Sequence, residues 1–492
     1  MPYLGVKPAD EFTSKDLNGE ELILDADADT TITADTDDTI DIKIAGADDF
    51  KITANTLTAL SGSTIATNTI AETTGASGVT IDGLLIKDST AAFADGAVGT
   101  PSITNTGDLN TGVYFPAADT VGMVAGGTEQ FRFGSNLIPG GEKNLVQNGS
   151  MAVAQRATQT GLGASTAYTQ VDRWKLFCSG TAGRVTADQA VGPSGTGAVY
   201  SHANALKVDV TTADASVASG DIMSIKHIIE AQNCLSLRYG DSTAQAVTVS
   251  FWMKSPKTGT HCVSLYQSDT GRGYIKEFTI ASANTWEQFK ITFPGDTGGA
   301  GINNDTGSGL NIDWPLICGT GEQGSADSWL ASGKTATSNQ QNLLDSTSND
   351  IYLTGVQLEI GSVGTDFAHE DYGTTLFKCK RYYQRITFGA NGQVVGAGEN
   401  ESTTQVAYVL NNKVAQRSEP TFGYSSLAHF SHVSGTSLDT PNNLLEMGGG
   451  TGDETDGVNS IISTGNSLQT AGSGYILVSL TAGSYLEYSA EL

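Results

Sequence analysis

Apolar and polar side chains alternate at a period of two along much of this chain, in short runs. Ile40, Ile42 and Ile44 alternate with Asp41 and Lys43, and FKITANTLTAL from Phe50 to Leu60 repeats the pattern. This predicts half-buried β-strands separated by Gly, Asp and Asn turns. Strands this thin bury too little apolar area alone, so the segment is expected to find its core on neighbouring copies, three chains sharing one axis. The D-x-N-T-G stretch from Asp108 to Gly112 reads as a turn, followed by a strand in GGTEQFRF.

Beyond a break at IPGGEK, Ile138 to Lys143, the runs become aromatic. DRWKLF, ALKVDV, AVTVSFWMK, HCVSLYQ, YIKEFTI, WEQFKITF, LNIDWPLI and IYLTGVQLEI follow one another with turn residues between them. That succession is what a two-sheet sandwich or jelly roll requires. One or two helical turns are expected at DIMSIKHIIE, Asp221 to Glu230. A basic aromatic helix is expected at FKCKRYYQRI, Phe377 to Ile386, packed as a connector between two sandwich units with its charges toward water or the acidic shaft. From about Thr387 a separate small β unit follows, with an exposed loop at Gly448 to Gly457. The expected class is all-β: a thin trimeric β-shaft over 21–138, a jelly-roll β-sandwich over 139–386, a smaller C-terminal β-sandwich over 387–492, and few short helices.

Composition narrows the partners. The 492 residues predict two to four domains. With 53 acidic against 26 basic residues, the formal charge of -27 repels a phosphate backbone, which excludes nucleic acid as an expected partner. An anionic surface polymer would need a local patch or a bridging cation. No run reaches the eighteen or so apolar residues of a membrane span, and the start has no apolar signal core. Membrane insertion is therefore not expected, and the chain reads as made in a cytoplasm. Cys178, Cys234, Cys262, Cys318 and Cys379 are odd in number and form no CxxC pair, so buried free thiols are expected.

Strand alternation also selects candidate binding residues. In AVTVSFWMKS, Val247, Val249, Phe251 and Met253 share one face, leaving Thr248, Ser250, Trp252 and Lys254 on the other. In WEQFKITF, Phe289, Ile291 and Phe293 face inward and Trp286, Gln288 and Lys290 outward. A flat aromatic among polar neighbours is a platform on which a sugar ring stacks, unless a loop or a second subunit covers it. Trp314, beside Pro315, reads as core. Trp329 lies in a Gly/Ser/Thr/Asn-rich stretch expected to be a long loop. The glycan-binding candidates are therefore Trp252, Trp286 and Trp329.

Other chemistry is sparse. The DADAD run at Asp25 to Asp29 and DTDD at Asp35 to Asp38 offer oxygen ligands for calcium, but Thr30 and Thr36 stand where an EF-hand loop needs Gly and Glu. No cofactor or metal is expected, and solvated acidic strand edges account for the clusters. ASGKT at Ala331 to Thr335 lacks the first Gly of a phosphate-binding loop, and GxSxG and HExxH are absent. No catalytic residue is assigned and no enzyme is expected. Paired carboxylates for glycan cleavage are defined by their separation in space, so a depolymerase stays open.

Several segments resemble a known family. NLVQNGSMAVAQR (Asn144 to Arg156) and VQLEIGSVGTDFAHEDYGTTLFKCKRYYQRI (Val356 to Ile386) bracket all five tryptophans. Upstream lie SGVTIDGLLIKD (Ser77 to Asp88) and PSITNTGDLNTGVYFPAADTVGMVAGGTEQFRFGSN (Pro101 to Asn136). Together they resemble tailed-bacteriophage tail fibres, and the order VTVSFWMKS, Gly-Thr loop, WEQFKITFPGD resembles jelly-roll carbohydrate-binding modules. The resemblance implies a homotrimeric receptor-binding fibre in the virion tail, attached through residues 1–20 to tail or baseplate proteins. Its implied role is adsorption to a host surface glycan or outer-membrane receptor without bond cleavage. A polysaccharide-cleaving tailspike and a purely structural connector or decoration fibre are the alternatives.

Overall fold

The period-two runs become strands nearly throughout, and among the described residues every strand-to-strand pairing is antiparallel. The computed structural model describes residues 20–34, 36–66, 93–118, 120–133, 143–193, 202–389, 392–411, 414–435, 437–446, 458–465 and 471–492. The segment 1–19, SGVTIDGLLIKD, most of IPGGEK and the loop Gly448 to Gly457 lie outside the described residues. The chain divides into two units, Met1–Gly96 and Ala97–Leu492.

The first unit is a five-stranded sheet in chain order: Leu22–Ile23, Thr31–Thr33, Ile40–Ile44, Ala47–Thr53 and Thr56–Ala59. Thr31, Thr33 and Thr39 are buried there, but no apolar side chain is, among the described residues. Leu22, Ile40, Ile44 and Leu57 are 44%, 43%, 48% and 56% exposed. The sheet therefore forms its ladder without closing a core of its own.

The second unit opens with a four-stranded sheet, Ile103–Asn105, Asp108–Ala117, Thr120–Ala125 and Thr128–Phe133. Asp108 to Gly112, read from sequence as a turn, begins the second strand. The turn is one step earlier, where the Asn105 side chain accepts from Gly107 N at 2.9 Å. An Asn side chain closing on the backbone two residues ahead makes the turn that the later Asn-Thr-Gly only resembles.

Next comes a sandwich of two sheets. One has six strands in the spatial order Gln159–Leu162, Arg184–Val191, Asn204–Thr212, Asp350–Ile360, Val247–Lys254, Glu287–Phe293. The other has seven, in the order Ala167–Tyr168, Trp174–Ser179, Ile222–Glu230, Ser308–Cys318, Gly259–Gln267, Arg272–Ile280, Trp329–Leu330. All eight aromatic runs of the sequence lie in these sheets. Their inward faces meet at Trp174, Trp314 and Phe251, with ring centroids 5.8 Å apart for the two indoles and 5.5 Å for Phe251 on Trp314. Trp314 is 1% exposed, as its place beside Pro315 suggested. All five cysteines are free and buried.

Two expectations about helices need correction. DIMSIKHIIE is a strand, Ile222–Glu230, with all nine residues buried. A central strand covered on both faces loses the period of two, and the spacing of Ile222, Met223, Ile225, Ile228 and Ile229 then mimics the apolar face of a helix. The basic aromatic segment is half helix: Tyr372–Lys380 is helical, capped by Asp371 accepting from Thr374 N at 3.0 Å, whereas Tyr383–Thr387 is a strand on Tyr485–Ser489. Aromatic YYQRIT suits a ladder, and the available partner strand decides it. Nor do all its charges face water, because Arg381 and the Tyr382 hydroxyl both bond the buried Glu230, at 2.8 and 2.6 Å.

The last part folds as a three-stranded sheet, Tyr383–Thr387, Tyr485–Ser489, Thr421–Tyr424, and a seven-stranded sheet centred on Gly474–Ser479 and Gln393–Ser402. Tyr408, Phe430, Leu477 and Leu486 form its core.

Candidate functional site

The outward face of the six-stranded sheet carries the most concentrated chemistry. Strand register aligns Lys254 with Tyr352, Tyr352 with Lys207 and Lys207 with Asp188, while Met253 opposite Glu287 sets Trp286 beside Lys254. The result is a row across five strands: Trp286, Lys254, Tyr352, Lys207, Asp188. At about 4.8 Å per strand the row spans about 19 Å, enough for a short oligosaccharide. All five side chains are half-buried, so the row is a shallow floor open to solvent.

Its members touch one another. Lys254 Nζ lies 3.8 Å from the Tyr352 ring centroid and 5.6 Å from that of Trp286, and the two rings meet edge to face at 6.1 Å. Lys207 Nζ lies 3.3 Å from Asp350 and 3.9 Å from Asp209. Desolvation lowers Lys254 from the ordinary lysine range, partly offset by Asp350. Desolvation also acts on Lys207, but bonding to Asp350 and the nearby negative charge outweigh it and leave that ammonium raised. Asp209 is raised by its hydrogen bond with Asp350, and Asp350, though desolvated, is lowered by the same bond and by Lys207. One oxygen of Asp188 is buried and has no hydrogen-bond partner among the described residues.

Trp252 stands in the next row inward, opposite Gln288 and Thr354. That row is largely covered: Thr354 and Ala205 are 0% exposed. Gly355, at φ +59, lets two rings close over it, since a Cβ there would lie 2.5 Å from His202 Nε2 and 2.9 Å from Trp252 Cδ1. His202 in turn packs edge-on against Phe367 at 4.7 Å and stacks on His369 at 5.4 Å. Trp252 is thus half-buried at the margin of the open row, with a loop over its neighbours.

Trp329 sits on a short edge strand opposite Tyr274 rather than in an open loop. Its ring packs on Tyr239 and Tyr274 at 5.5 and 5.2 Å, and Nε1 donates to Pro294 O at 3.1 Å. The structure therefore brings Trp286 and Trp252 to one face and sends Trp329 to the other sheet. Sequence reasoning missed Tyr352, Lys207 and Asp188. The alternation in IYLTG and ALKVD puts Tyr352 and Lys207 opposite the apolar set, but register alone places the three in line.

Two further features are weaker. A cleft of about 370 Å³ lies between Asn144–Ser150 and Phe367–Asp371. Its lysines are already engaged, Lys143 with Asp366 O at 3.2 Å and Lys378 with Glu370. Asp25, Asp27 and Asp29 bring carboxylate oxygens within 4.8 Å of one another, all at solvent-accessible positions.

No protein-family model matches the chain, and no curated protein matches it. Solved structures that match part of the chain include the enzymatically active domain of tailspike protein 4 of bacteriophage CBA120. It is 13% identical over 44% of this chain and 22% of that one, at a TM-score of 0.25, so the match spans about a fifth of the tailspike chain. A CBM4 structure is 13% identical over 44% of this chain and 99% of its own, with a TM-score of 0.22. A family 11 carbohydrate-binding module from Clostridium thermocellum, in complex with a β-1,3-1,4-mixed-linked tetrasaccharide, is 13% identical over 39% of this chain and 91% of its own, with a TM-score of 0.21. Likenesses of this size assign neither ligand nor activity.

Proposed function

We propose that this chain is the receptor-binding tail fibre of a tailed bacteriophage, adsorbing to a host-surface glycan through the Trp286, Lys254, Tyr352, Lys207, Asp188 row without cleaving it. The row itself carries the reading: aromatic rings, ammonium groups and a carboxylate lie in one line on an open sheet face, the combination that stacks sugar rings and bonds their hydroxyls. The phage setting rests on the sequence resemblance of the upstream repeats and bracketing motifs. Binding without cleavage follows the same resemblance.

Trimeric assembly belongs to the same reading. The first sheet holds no buried apolar side chain among its described residues, and Leu109 and Phe131 of the four-stranded sheet are each 64% exposed. Three copies facing a common axis would cover these groups, and three weak sites on one fibre would reinforce one another. Glycan-array binding by the full-length chain tests the function: wild type should bind, and Trp286→Ala should not. Equal binding by both, or none by either, would refute it. Light scattering should give three times the 51.1 kDa chain mass; a monomer would remove the fibre assignment.

A further inference from the structure

The chain as a whole repels anions, yet its proposed binding row contains two ammonium groups with different surroundings. Lys207 is neutralised where it stands, held by Asp350 and Asp209. Lys254 is held less closely: among the described residues it makes no ion pair, its ammonium rests on the faces of Tyr352 and Trp286, and Asp350 acts on it from farther off. A cation held between two rings is fixed in position and partly stripped of water. The rings supply only a quadrupole and Asp350 only a more distant charge, which leaves Lys254 open to a closer anion.

From this geometry we infer that the row selects an acidic glycan, one whose sugar carries a carboxylate that pairs with Lys254 while its ring lies along Trp286. The inference rests on the glycan-binding reading and adds the charge class of the ligand. An incoming carboxylate gains a charge-assisted bond to an ammonium already partly desolvated by two rings. At the far end Lys207 is held between Asp350 and Asp209, at 3.3 and 3.9 Å, so a second carboxylate finds no free cation there. The row is therefore polar along its length, with one end for an acidic sugar and the other for neutral hydroxyls. A strongly acidic chain meets an anionic surface with long-range repulsion, so such a ligand must be held by one placed cation. Lys254 is that cation.

The experiment uses the full-length chain on a panel of galacturonate-, glucuronate- and sialate-bearing oligosaccharides, each beside its carboxyl-reduced neutral counterpart. Acidic members should bind about tenfold or more tightly than their reduced counterparts, and the advantage should shrink with added salt. Lys254→Gln should abolish the difference, and Lys254→Arg should restore most of it, with thermal melts confirming that both variants fold. Equal affinity for acidic and reduced ligands, or a difference that survives Lys254→Gln, overturns the inference while leaving glycan binding standing. If no member binds, and Trp286→Ala matches wild type throughout, the glycan-binding reading falls with it.

Discussion

Glu491 places Oε2 2.6 Å from Nη1 of Arg173, 318 positions earlier in the chain, with both groups almost completely buried. Its other oxygen meets Arg156 at 3.0 Å, and the two guanidiniums lie 3.5 Å over the rings of Tyr382 and Tyr383. Arg417 adds bonds to Ala490 O and Thr306 O, each at 2.7 Å. The final strands are thereby tied to the sandwich by charge and stacking together. Removing one partner of a buried pair leaves the other charge stranded. Glu491→Ala should therefore cost about 3–5 kcal/mol. Urea unfolding should report the loss, and hydrogen exchange should rise first at Tyr485–Ser489.

The binding row and the core should separate cleanly under mutation. Trp286→Ala and Tyr352→Ala should each weaken glycan binding by about tenfold or more while leaving the melting temperature nearly unchanged, because both side chains sit on the outward face. Trp314→Ala should do the opposite, losing about 3–5 kcal/mol of stability. Calorimetric titration beside thermal melts distinguishes the two classes.

Two of the groups that respond to acid act with opposite sign. Burial, helped by His369, pulls His202 down to about 4, below its ordinary 6.5. The unfolded chain then takes up this proton first, and the stability present above 6.5 is lost as pH falls toward 4. Burial pushes Asp172 up to about 6, against the counter-pull of Arg156. Here the folded state takes the proton first, so acidification from 6 toward the ordinary carboxylate value of 3.8 adds stability. His202→Phe should flatten the acid decline and Asp172→Asn should steepen it, measured by denaturant midpoints across that window.

Gly355 is the hinge of the covered row. Its φ of +59 and the two rings within 3 Å of a Cβ leave no room for a side chain. Gly355→Ala should cost about 1–3 kcal/mol, and it should displace His202 and Trp252. A shift in tryptophan fluorescence, absent in the same substitution on a Trp252→Phe background, would check the cause.

The eight aromatic strands were legible because a strand with one wet face writes its orientation as a period of two, as in Phe251 and Met253 against Trp252 and Lys254. The same signal failed at Ile222–Glu230, where both faces are covered and alternation vanishes. It also failed at Tyr383, where the helix gives way to a strand because Tyr485–Ser489 is there to pair with it. Trp329 illustrates a third limit: composition showed a loop rich in small polar residues, while Tyr239, Tyr274 and Pro294 hold the ring down.

By itself, the sequence determined the all-β class, the inward and outward faces of the alternating strands Val247–Lys254 and Glu287–Phe293, the buried free thiols and the presence of Trp252 and Trp286 on one polar face. These are local properties, carried by residue type and a repeat of two. Which residues stand side by side was decided only in three dimensions. Trp286, Lys254, Tyr352, Lys207 and Asp188 come from five segments spread over most of the sandwich, and they form a line because hydrogen-bonded register aligns them. Register depends on long-range pairing, and a shift of one residue would turn every one of these side chains inward.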